Sequence, residues 1–600
     1  MSSHGPGRHP AFTTSTLLPC YGEAMRLPIL AVVLLLLVAG CGASSAAAGH
    51  GDAGDDATSP DGSSSGADGG ASDGGAESGP PGACPSPVPA DPLAAMRQAC
   101  TFAAGAMVKD TLGIDEATRA AIPIKNIVVL MKENRSFDHL LGAIHDEGRP
   151  VVAPIPTTFT NLDLDGGVVS PFHEATTCIA EDPDHQWAAM HAQVDNGKMD
   201  GFVVSAAVST GTDGHFVFGH YDQTDLPFYY WLAATYPLND EHFASVRSGT
   251  FPNRNFLVLG TNDGVQSTGG GYPSPSTPTL FDALDKAGVT WGVYSDGSLL
   301  SGSLNWNLSH KGTGTYAAFL QKLDDGTLPQ VAFVDGLDNV TDDHPTANLQ
   351  QGEAWTREIY SHAIASKLWP GMAMLWTYDE GGGFADHVPP PNKACIARPV
   401  AKDQPYYELG VRTPMVVISP WGRAGYTSHV TQEHTALTRF IETVFDLPAL
   451  TARDANSDAL LDLFDFACPP AFLTPPTAPA VGMKGCDGSV VLTVSQASYT
   501  QGQAIVVSFS GAPGTNPKDW IGVYAYGANG PSQPIPGSLL FQYIGGAHTP
   551  TSSPTSGNVT LDKTALGNGP WPLPVGGYIA YYLLNDGYTS AASIDFTVTP

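Results

Sequence analysis

The chain has 600 residues, enough for one large domain and at least one small one. Only 14% of its residues are charged, glycine (67) and proline (50) are abundant, and 58 acids against 27 bases leave a net charge of −31. Nucleic-acid binding needs a basic footprint, and the sequence offers none. Part of the acidity is concentrated in one segment, with Asp52, Asp55, Asp56, Asp61, Asp68, Asp73 and Glu77, so it describes a tail more than a site.

The N-terminal region reads as a targeting segment. Arg26 precedes an apolar run, Leu27 to Val38, that is short for a membrane span and ends in Ala39-Gly40-Cys41. Val38-Ala39-Gly40-Cys41 resembles a bacterial lipobox, with Cys41 the lipid-bearing first residue of the mature chain and Met25 the start. The other reading is an ordinary secretory signal cleaved nearby. Either predicts export. Residues 42–82 are Gly, Ser, Ala and Asp with almost no large apolar side chain, the composition of a flexible tether. Removing Cys20 and Cys41 from the eight cysteines leaves Cys84, Cys100, Cys178, Cys395, Cys468 and Cys486. An even number in an oxidising compartment predicts disulfides. Their connectivity stays open, with Cys468 and Cys486 placed to pair across a Pro-rich join.

From about Ile122, apolar strand-like runs alternate with helical ones. Ile127 to Met131, Val289 to Tyr294, Met372 to Tyr378 and Val411 to Ile418 read as strands, and Ser276 to Gly288 and Gln432 to Phe445 as helices. This alternation predicts an α/β domain, residues 83–468, built on a largely parallel sheet. Residues 469–486 read as a Pro-rich linker. Beyond it, Val490 to Val494, Ala504 to Phe509, Trp520 to Tyr526, Gly577 to Leu584 and Ser593 to Val598 are short strand-like runs split by turn residues, with a hairpin turn at Asn585 to Tyr588. They predict a small β-sandwich over 487–600. Its role divides between docking at a membrane or substrate and simple spacing.

Four motifs punctuate the α/β region: Glu133-Asn134-Arg135-Ser136-Phe137-Asp138-His139, Thr250-Phe251-Pro252-Asn253-Arg254, Asp379-Glu380-Gly381-Gly382-Gly383 with Asp386-His387-Val388, and Gly410-Val411-Arg412-Thr413-Pro414 running to Ser419-Pro420-Trp421. Asp184-His185 and Asp343-His344-Pro345 lie between them. Glu133, Asn134, Asp379 and Glu380 are hard oxygen donors suited to a divalent cation. Thr250 offers a hydroxyl nucleophile, Arg254 a fixed positive charge, and His185, His344 and His387 can move protons. Each residue alone reads more simply as a turn, a cap or a structural ion pair, and Arg254 as the partner of a structural carboxylate. Their joint occurrence at strand ends is what an open α/β sheet uses for its site. Together they suit phosphoryl transfer, whose main demand is to neutralise spreading negative charge.

The four motifs in this order resemble the phosphoesterase family of bacterial and plant non-specific phospholipases C and related acid phosphatases, over about residues 122 to 447. The resemblance implies an alkaline-phosphatase-like three-layer fold and an exported phosphoric ester hydrolase. It implies Thr250 as a nucleophile that is transiently phosphorylated. Glu133, Asn134, Asp379 and Glu380 would hold a cation, with Ca²⁺, Mg²⁺ or Mn²⁺ favoured over Zn²⁺ for an all-oxygen set. His185 and His344 would contact the phosphoryl oxygens or protonate the leaving group, joined by Lys198 and His387. A threonine at the nucleophile position tilts the reading toward a phospholipase C acting on phospholipid at a membrane surface. A broad-specificity acid phosphatase shares every one of these residues, and a non-catalytic surface protein would have lost some of them. Oligomeric state is left open.

Overall fold

The computed structural model describes residues 86–297, 299–304, 313–391, 393–398, 406–483, 490–511, 516–525, 537–584, 586–587 and 590–600. All belong to one compact unit, Glu77–Pro600. The signal, lipobox and the whole tether, with Cys84, Cys486 and the ends of the Asn585 to Tyr588 turn, lie outside the described residues. Among the described residues no helix is long and apolar enough to cross a membrane.

The first half is organised by eight strands: β1 (Asn126–Lys132), β2 (Leu238–Asn239), β3 (Trp291–Tyr294), β4 (Thr313–Gly314), β5 (Val331–Val334), β6 (Met372–Tyr378), β7 (Met415–Ile418) and β8 (Thr427–Ser428). They form one sheet in the order β8-β2-β7-β6-β1-β5-β3-β4. The pairs β1–β5, β1–β6, β5–β3, β3–β4 and β8–β2 are parallel, while β7 runs antiparallel to both of its neighbours. The expected largely parallel sheet is therefore present with one reversed strand inside it.

Strand β1 is buried along its whole length because both faces of the sheet are covered. Val128 and Leu130 point into one apolar cluster, with Met374, Trp376 and Ile359. Ile127, Val129 and Met131 point into another, with Leu375, Phe440 and Leu257. Two cores on one sheet make three layers. The helix read at Ser276 to Gly288 is shorter, Leu280–Ala287, because Thr279 and Asp282 close a capping box at its start and Gly288 ends it in the left-handed region.

The last strands form two facing sheets around a separate core of Val507, Ile521, Val523, Tyr582 and Phe596 among others. One sheet carries Trp520–Ala525, Gly576–Leu583 and Ser590–Thr599, the other Val491–Val494, Ile505–Ser510 and Gly557–Leu561. The Pro-rich segment before them is not a free spacer. Phe472 and Val481 enter the larger core, and Trp369 Nε1 donates to Phe472 O at 3.0 Å. Arg357, on the helix Leu349–Ala365, donates through Nε to Pro479 O at 2.6 Å and pairs through its terminal nitrogen with Asp595 of the final strand.

A disulfide joins Cys100 to Cys395 across 295 residues, and Cys178 and Cys468 are also disulfide-bonded. Removing Cys100–Cys395 by a Cys100→Ser, Cys395→Ser double substitution is expected to cost about 2–5 kcal/mol, read by denaturant unfolding against the oxidised parent. An unchanged midpoint would mean that the pair constrains nothing.

On the same helix, Glu353 is buried, and its Oε1 accepts from Phe228 N at 2.7 Å and Tyr229 N at 2.9 Å, at the start of the helix Pro227–Thr235. Its second oxygen has no hydrogen-bond partner. Burial pushes this carboxyl up to about 8 against the two amide hydrogen bonds, which lower it. A carboxyl raised in the folded state keeps a proton that the unfolded chain has lost, so its contribution falls as pH rises from the ordinary glutamate range toward 8. Glu353→Gln keeps an acceptor for the two amides and removes the ionisation. The variant is expected to be less destabilised than the parent between pH 5 and pH 9, by on the order of 3 kcal/mol in urea unfolding. Parallel pH profiles for the two proteins would contradict this.

Candidate active site

The register of the central sheet assembles the site. Strands β1 and β6 are adjacent and parallel, with Lys132 opposite Tyr378 at their ends. The next residues, Glu133-Asn134 and Asp379-Glu380, therefore emerge side by side at the carboxyl edge, as the motif spacing predicts. On the other side of β1, strand β5 pairs Val334 with Leu130 and delivers Asp335 to the same edge. The chain then bends sharply. Asn134 has φ 61, and Gly382 has φ 62 with its α-carbon so close to the neighbouring loop that a β-carbon would sit 2.2 Å from Asn134 O. Only glycine allows that approach, which is the reason for the Gly-rich run. Gly382 N donates to Glu380 Oε2 at 2.6 Å and fixes that carboxylate.

Thr250 is the first residue of the helix Thr250–Leu259, behind Gly249, so its hydroxyl sits at a helix N-terminus whose capping residue has no side chain and where Thr268 Oγ1 accepts from Phe251 N at 3.1 Å. That end favours negative charge. Pro252 is tolerated because it lies in the first turn, where its missing N–H has no intrahelical partner. Asn253 staples the preceding turn: Oδ1 accepts from Val246 N at 2.9 Å, and Nδ2 donates to the carbonyls of Val246, Ser248 and Gly249 at 3.2, 2.7 and 3.0 Å. Thr250 Oγ1 donates to Asn134 Oδ1 at 3.4 Å, and Asn134 Nδ2 lies 3.1 Å from His185 Nε2. Nucleophile candidate, amide and imidazole thus form one chain.

Below them lies a buried charge cluster. Glu133, Asp379 and Glu380 are 3%, 0% and 0% exposed. Arg254 answers them: Nε lies 3.2 Å from Glu133 Oε1 and 3.4 Å from Asp379 Oδ2, NH1 is 2.9 Å from Asp335 Oδ1, and NH2 donates to Met131 O at 2.9 Å. Burial raises the Glu133 and Glu380 carboxyls well above the usual carboxylate range, and the charge of Asp379 adds to both shifts. Glu380 Oε1 makes no hydrogen bond, and Glu133 Oε1 has only its ion pair with Arg254. Buried, under-satisfied, repelling carboxylate oxygens beside a side-chain amide are the donor set of a hard divalent cation. A second group, Asp182, His185 and His344, also has ligand atoms close enough to share an ion, as do Asp138–Asp386–His387 and His173–Asp222–Asp225.

Above the carboxylates opens a cleft of about 640 Å³ lined by Glu133, His185, Thr250, Phe251, Asp342 and His344, with Asp182, Asp184, Asp338 and Asn339 among its other walls. The His185 and His344 rings face each other with centroids 5.7 Å apart. His185 Nδ1 hydrogen-bonds Pro183 O at 2.7 Å and His344 Nδ1 hydrogen-bonds Pro345 O. Both bonds assign the Nδ1 proton, so both Nε2 atoms are left to serve the cleft. Burial lowers the His185 pKa against the pull of Asp182, which keeps this ring neutral and able to accept from Asn134.

Two expected site residues do not reach the cleft. Lys198 is exposed and paired with Asp195, three residues away on the same turn. His387 sits in a separate buried brace: its Nδ1 is 2.7 Å from Asp138 Oδ2, while Arg412 holds Asp386 Oδ1 and Asp138 Oδ1 at 2.9 Å each. Burial opposes its charge, but Asp138 outweighs it and raises the His387 pKa. This brace joins the tails of three motifs and explains their shared Asp, His and Arg without chemistry. Arg254 differs from its expected role too. It is 1% exposed with its nitrogens committed, so it balances the carboxylates and does not touch a substrate.

Residues the sequence reading passed over complete the support. Lys132 Nζ pairs with Asp343 Oδ2 at 2.8 Å, and Tyr229 and Tyr378 hydroxyls donate to the same oxygen at 2.9 and 2.6 Å, which fixes the loop carrying His344. Tyr229, whose ring packs against Trp376 with centroids 4.9 Å apart, belongs to the core. The signal for Asp335 was available, since it follows β5 as Asp379 follows β6; none marked Lys132, which reads as the end of an apolar strand.

A hydroxyl at a helix N-terminus, faced by imidazoles and buried hard-ligand carboxylates, defines a phosphoric ester hydrolase. Residues 124–448 match the Phosphoesterase family, and the chain belongs to it. It is 32% identical over 377 residues to a non-specific phospholipase C1 of Arabidopsis thaliana, covering 56% of this chain and 69% of that protein. It is 28% identical over 450 residues to a non-hemolytic phospholipase C of Burkholderia pseudomallei (60% of this chain, 62% of that protein) and 29% identical over 437 residues to phospholipase C B of Mycobacterium tuberculosis (61% and 82%). Among solved structures, a phosphonate monoester hydrolase from Silicibacter pomeroyi overlaps 61% of this chain and 86% of its own at 9% identity, with a TM-score of 0.27.

Proposed function

We propose that the chain is an exported phospholipase C that hydrolyses the glycerol-side phosphoester of a phospholipid. The observation that carries this reading is Thr250: a hydroxyl at a helix N-terminus, opening onto a cleft shared with His185 and His344. Thr250 Oγ attacks phosphorus and gives its proton to His344 Nε2, which lines the cleft; the bond to the diacylglycerol oxygen breaks, and that alkoxide takes the proton from His344. The head-group phosphate is then esterified to Thr250. Water attacks the same phosphorus and gives a proton to His344 Nε2, the bond to Thr250 Oγ breaks, and Thr250 Oγ takes that proton back as the phospho-alcohol leaves. With a phosphomonoester the same sequence passes through plain phosphothreonine. His185, neutral and held by Asn134, orients the nucleophile's amide partner and offers no proton.

Glu133, Asn134, Asp379 and Glu380 would hold a divalent cation, which would supply positive charge for the phosphoryl oxygens. Chelation is expected to remove turnover and to lower the melting temperature together, because the under-satisfied carboxylates then repel without the cation. Loss of neither would contradict the ligand assignment. Export is supported by the Cys100–Cys395 disulfide, which persists only in an oxidising compartment, and by the signal-like N-terminus. Lipid attachment at Cys41 would tether the enzyme beside its substrate; Cys41→Ser protein still in the membrane fraction would argue against it.

The test is product analysis. Given phosphatidylcholine vesicles, the chain is expected to release diacylglycerol and phosphocholine in equal amounts. Free phosphate from p-nitrophenyl phosphate, with no diacylglycerol, would make it a phosphatase instead.

A further inference from the structure

The cleft is polar, but exposed apolar side chains adjoin its lining residues along the chain. Val208 is 71% exposed and stands next to Ser209, a cleft residue at the end of the helix Phe202–Thr210. On a second segment, Leu337 (41% exposed) and Val340 (37%) flank the cleft residues Asp338 and Asn339 in sequence. On a third segment Tyr272, 52% exposed, follows the cleft residue Thr268 by four positions. Scattered apolar side chains are ordinary on a surface, but two segments carry them next in sequence to residues of the same polar opening, and a third within four positions.

We infer that this rim is the surface that enters the bilayer, and that its partner is a zwitterionic lipid surface. The inference rests on the phospholipase reading and adds where the membrane sits. A phospholipid presents its phosphodiester at headgroup depth, so a cleft can reach it only if the lips penetrate the interface. Valine and leucine tips bury there, and tyrosine suits the boundary because one end is apolar and the other wet. The neighbouring charges choose the lipid. Asp182, Asp184 and Asp338 line the opening, no lysine or arginine does among the described residues, and the chain carries −31 overall. Such a rim gains nothing from an anionic leaflet and is repelled by it.

The experiment uses the full chain with Cys41→Ser, so that no acyl chain can attach. Val208→Asp, Leu337→Asp and the double variant are compared with Val575→Asp, an exposed sandwich position away from the cleft. Sedimentation with phosphatidylcholine vesicles, sedimentation with vesicles containing phosphatidylglycerol, and turnover of monomeric p-nitrophenyl phosphorylcholine are measured. Expected are at least a tenfold loss of phosphatidylcholine-vesicle binding in the double variant, no loss in Val575→Asp, weaker binding of the parent to anionic vesicles, and soluble-ester turnover within twofold throughout. Unchanged vesicle binding in the double variant would overturn the proposal. So would an equal loss in Val575→Asp, or a halved mass on gel filtration, which would make the rim a contact between copies. A parent that turns over the soluble ester but neither binds vesicles nor cleaves detergent-dispersed phosphatidylcholine would sink the phospholipase reading itself, whereas cleavage of dispersed lipid without vesicle binding would sink only the rim.

Discussion

Thr250→Ala is expected to lower kcat by roughly 10⁴-fold or more while leaving the protein folded, since loss of a nucleophile leaves only the catalysis supplied by binding and electrostatics. Thr250 is 5% exposed, and its hydroxyl makes one long contact, 3.4 Å to Asn134 Oδ1, so its removal frees little. Thermal unfolding should shift by no more than the effect of a small side chain, within about 1–2 kcal/mol. Thr250→Ser keeps the hydroxyl and is expected to keep turnover within about tenfold, the cost of a less restricted χ1. The pair of variants separates chemistry from structure. A Thr250→Ala enzyme with turnover near the parent's would remove the nucleophile assignment, whatever its substrate.

The second large effect is one of stability. Arg254→Met preserves length and burial but leaves Glu133, Asp335 and Asp379 without their cation. Burial opposes the Arg254 charge, yet Asp335, Glu133 and Asp379 outweigh it and raise its pKa, a measure of how strongly the cluster depends on it. Breaking one partner out of a buried ion cluster costs about 3–5 kcal/mol, because the remaining charges stay buried and unpaired. The variant is therefore expected to unfold well below the parent in chelator. Millimolar Mg²⁺ or Ca²⁺ should restore part of the loss, since a cation bound only to the folded state stabilises it. Arg254→Lys should recover little, because one ammonium cannot reach Asp335, the Glu133–Asp379 pair and Met131 O at once. A melting temperature equal to the parent's in chelator would contradict the central role given to this residue.

How much of this could be read beforehand follows from the physics of each element. Strands β1 and β6 were legible because burial on both faces leaves uninterrupted apolar runs. The residues following them read as a candidate site because Glu-Asn and Asp-Glu pairs recur together at strand ends, although each alone reads as a turn or a cap. The sandwich was visible from its period-two strands, although Leu540–Tyr543 and Gly557–Leu561 were missed among turn residues. Arg254 could not be assigned from sequence, since a motif shows that an Arg lies beside Thr250 but not that it points down toward Asp335. His387 misled for the same reason: Asp386-His387 follows the Gly-rich loop, but the loop turns it toward Asp138 and Arg412. Lys198, expected only from the resemblance, ends on the surface paired with Asp195. Side-chain direction, set by tertiary packing, is what composition and spacing do not encode.

Rapid acid quench of the full chain during turnover of phosphatidylcholine, followed by mass spectrometry of the peptide carrying Thr250, tests the central claim most directly. The account expects a phosphocholine adduct on Thr250, present only while substrate lasts and absent from Thr250→Ala. Turnover without any adduct on Thr250, or an adduct that maps to another residue, would contradict it.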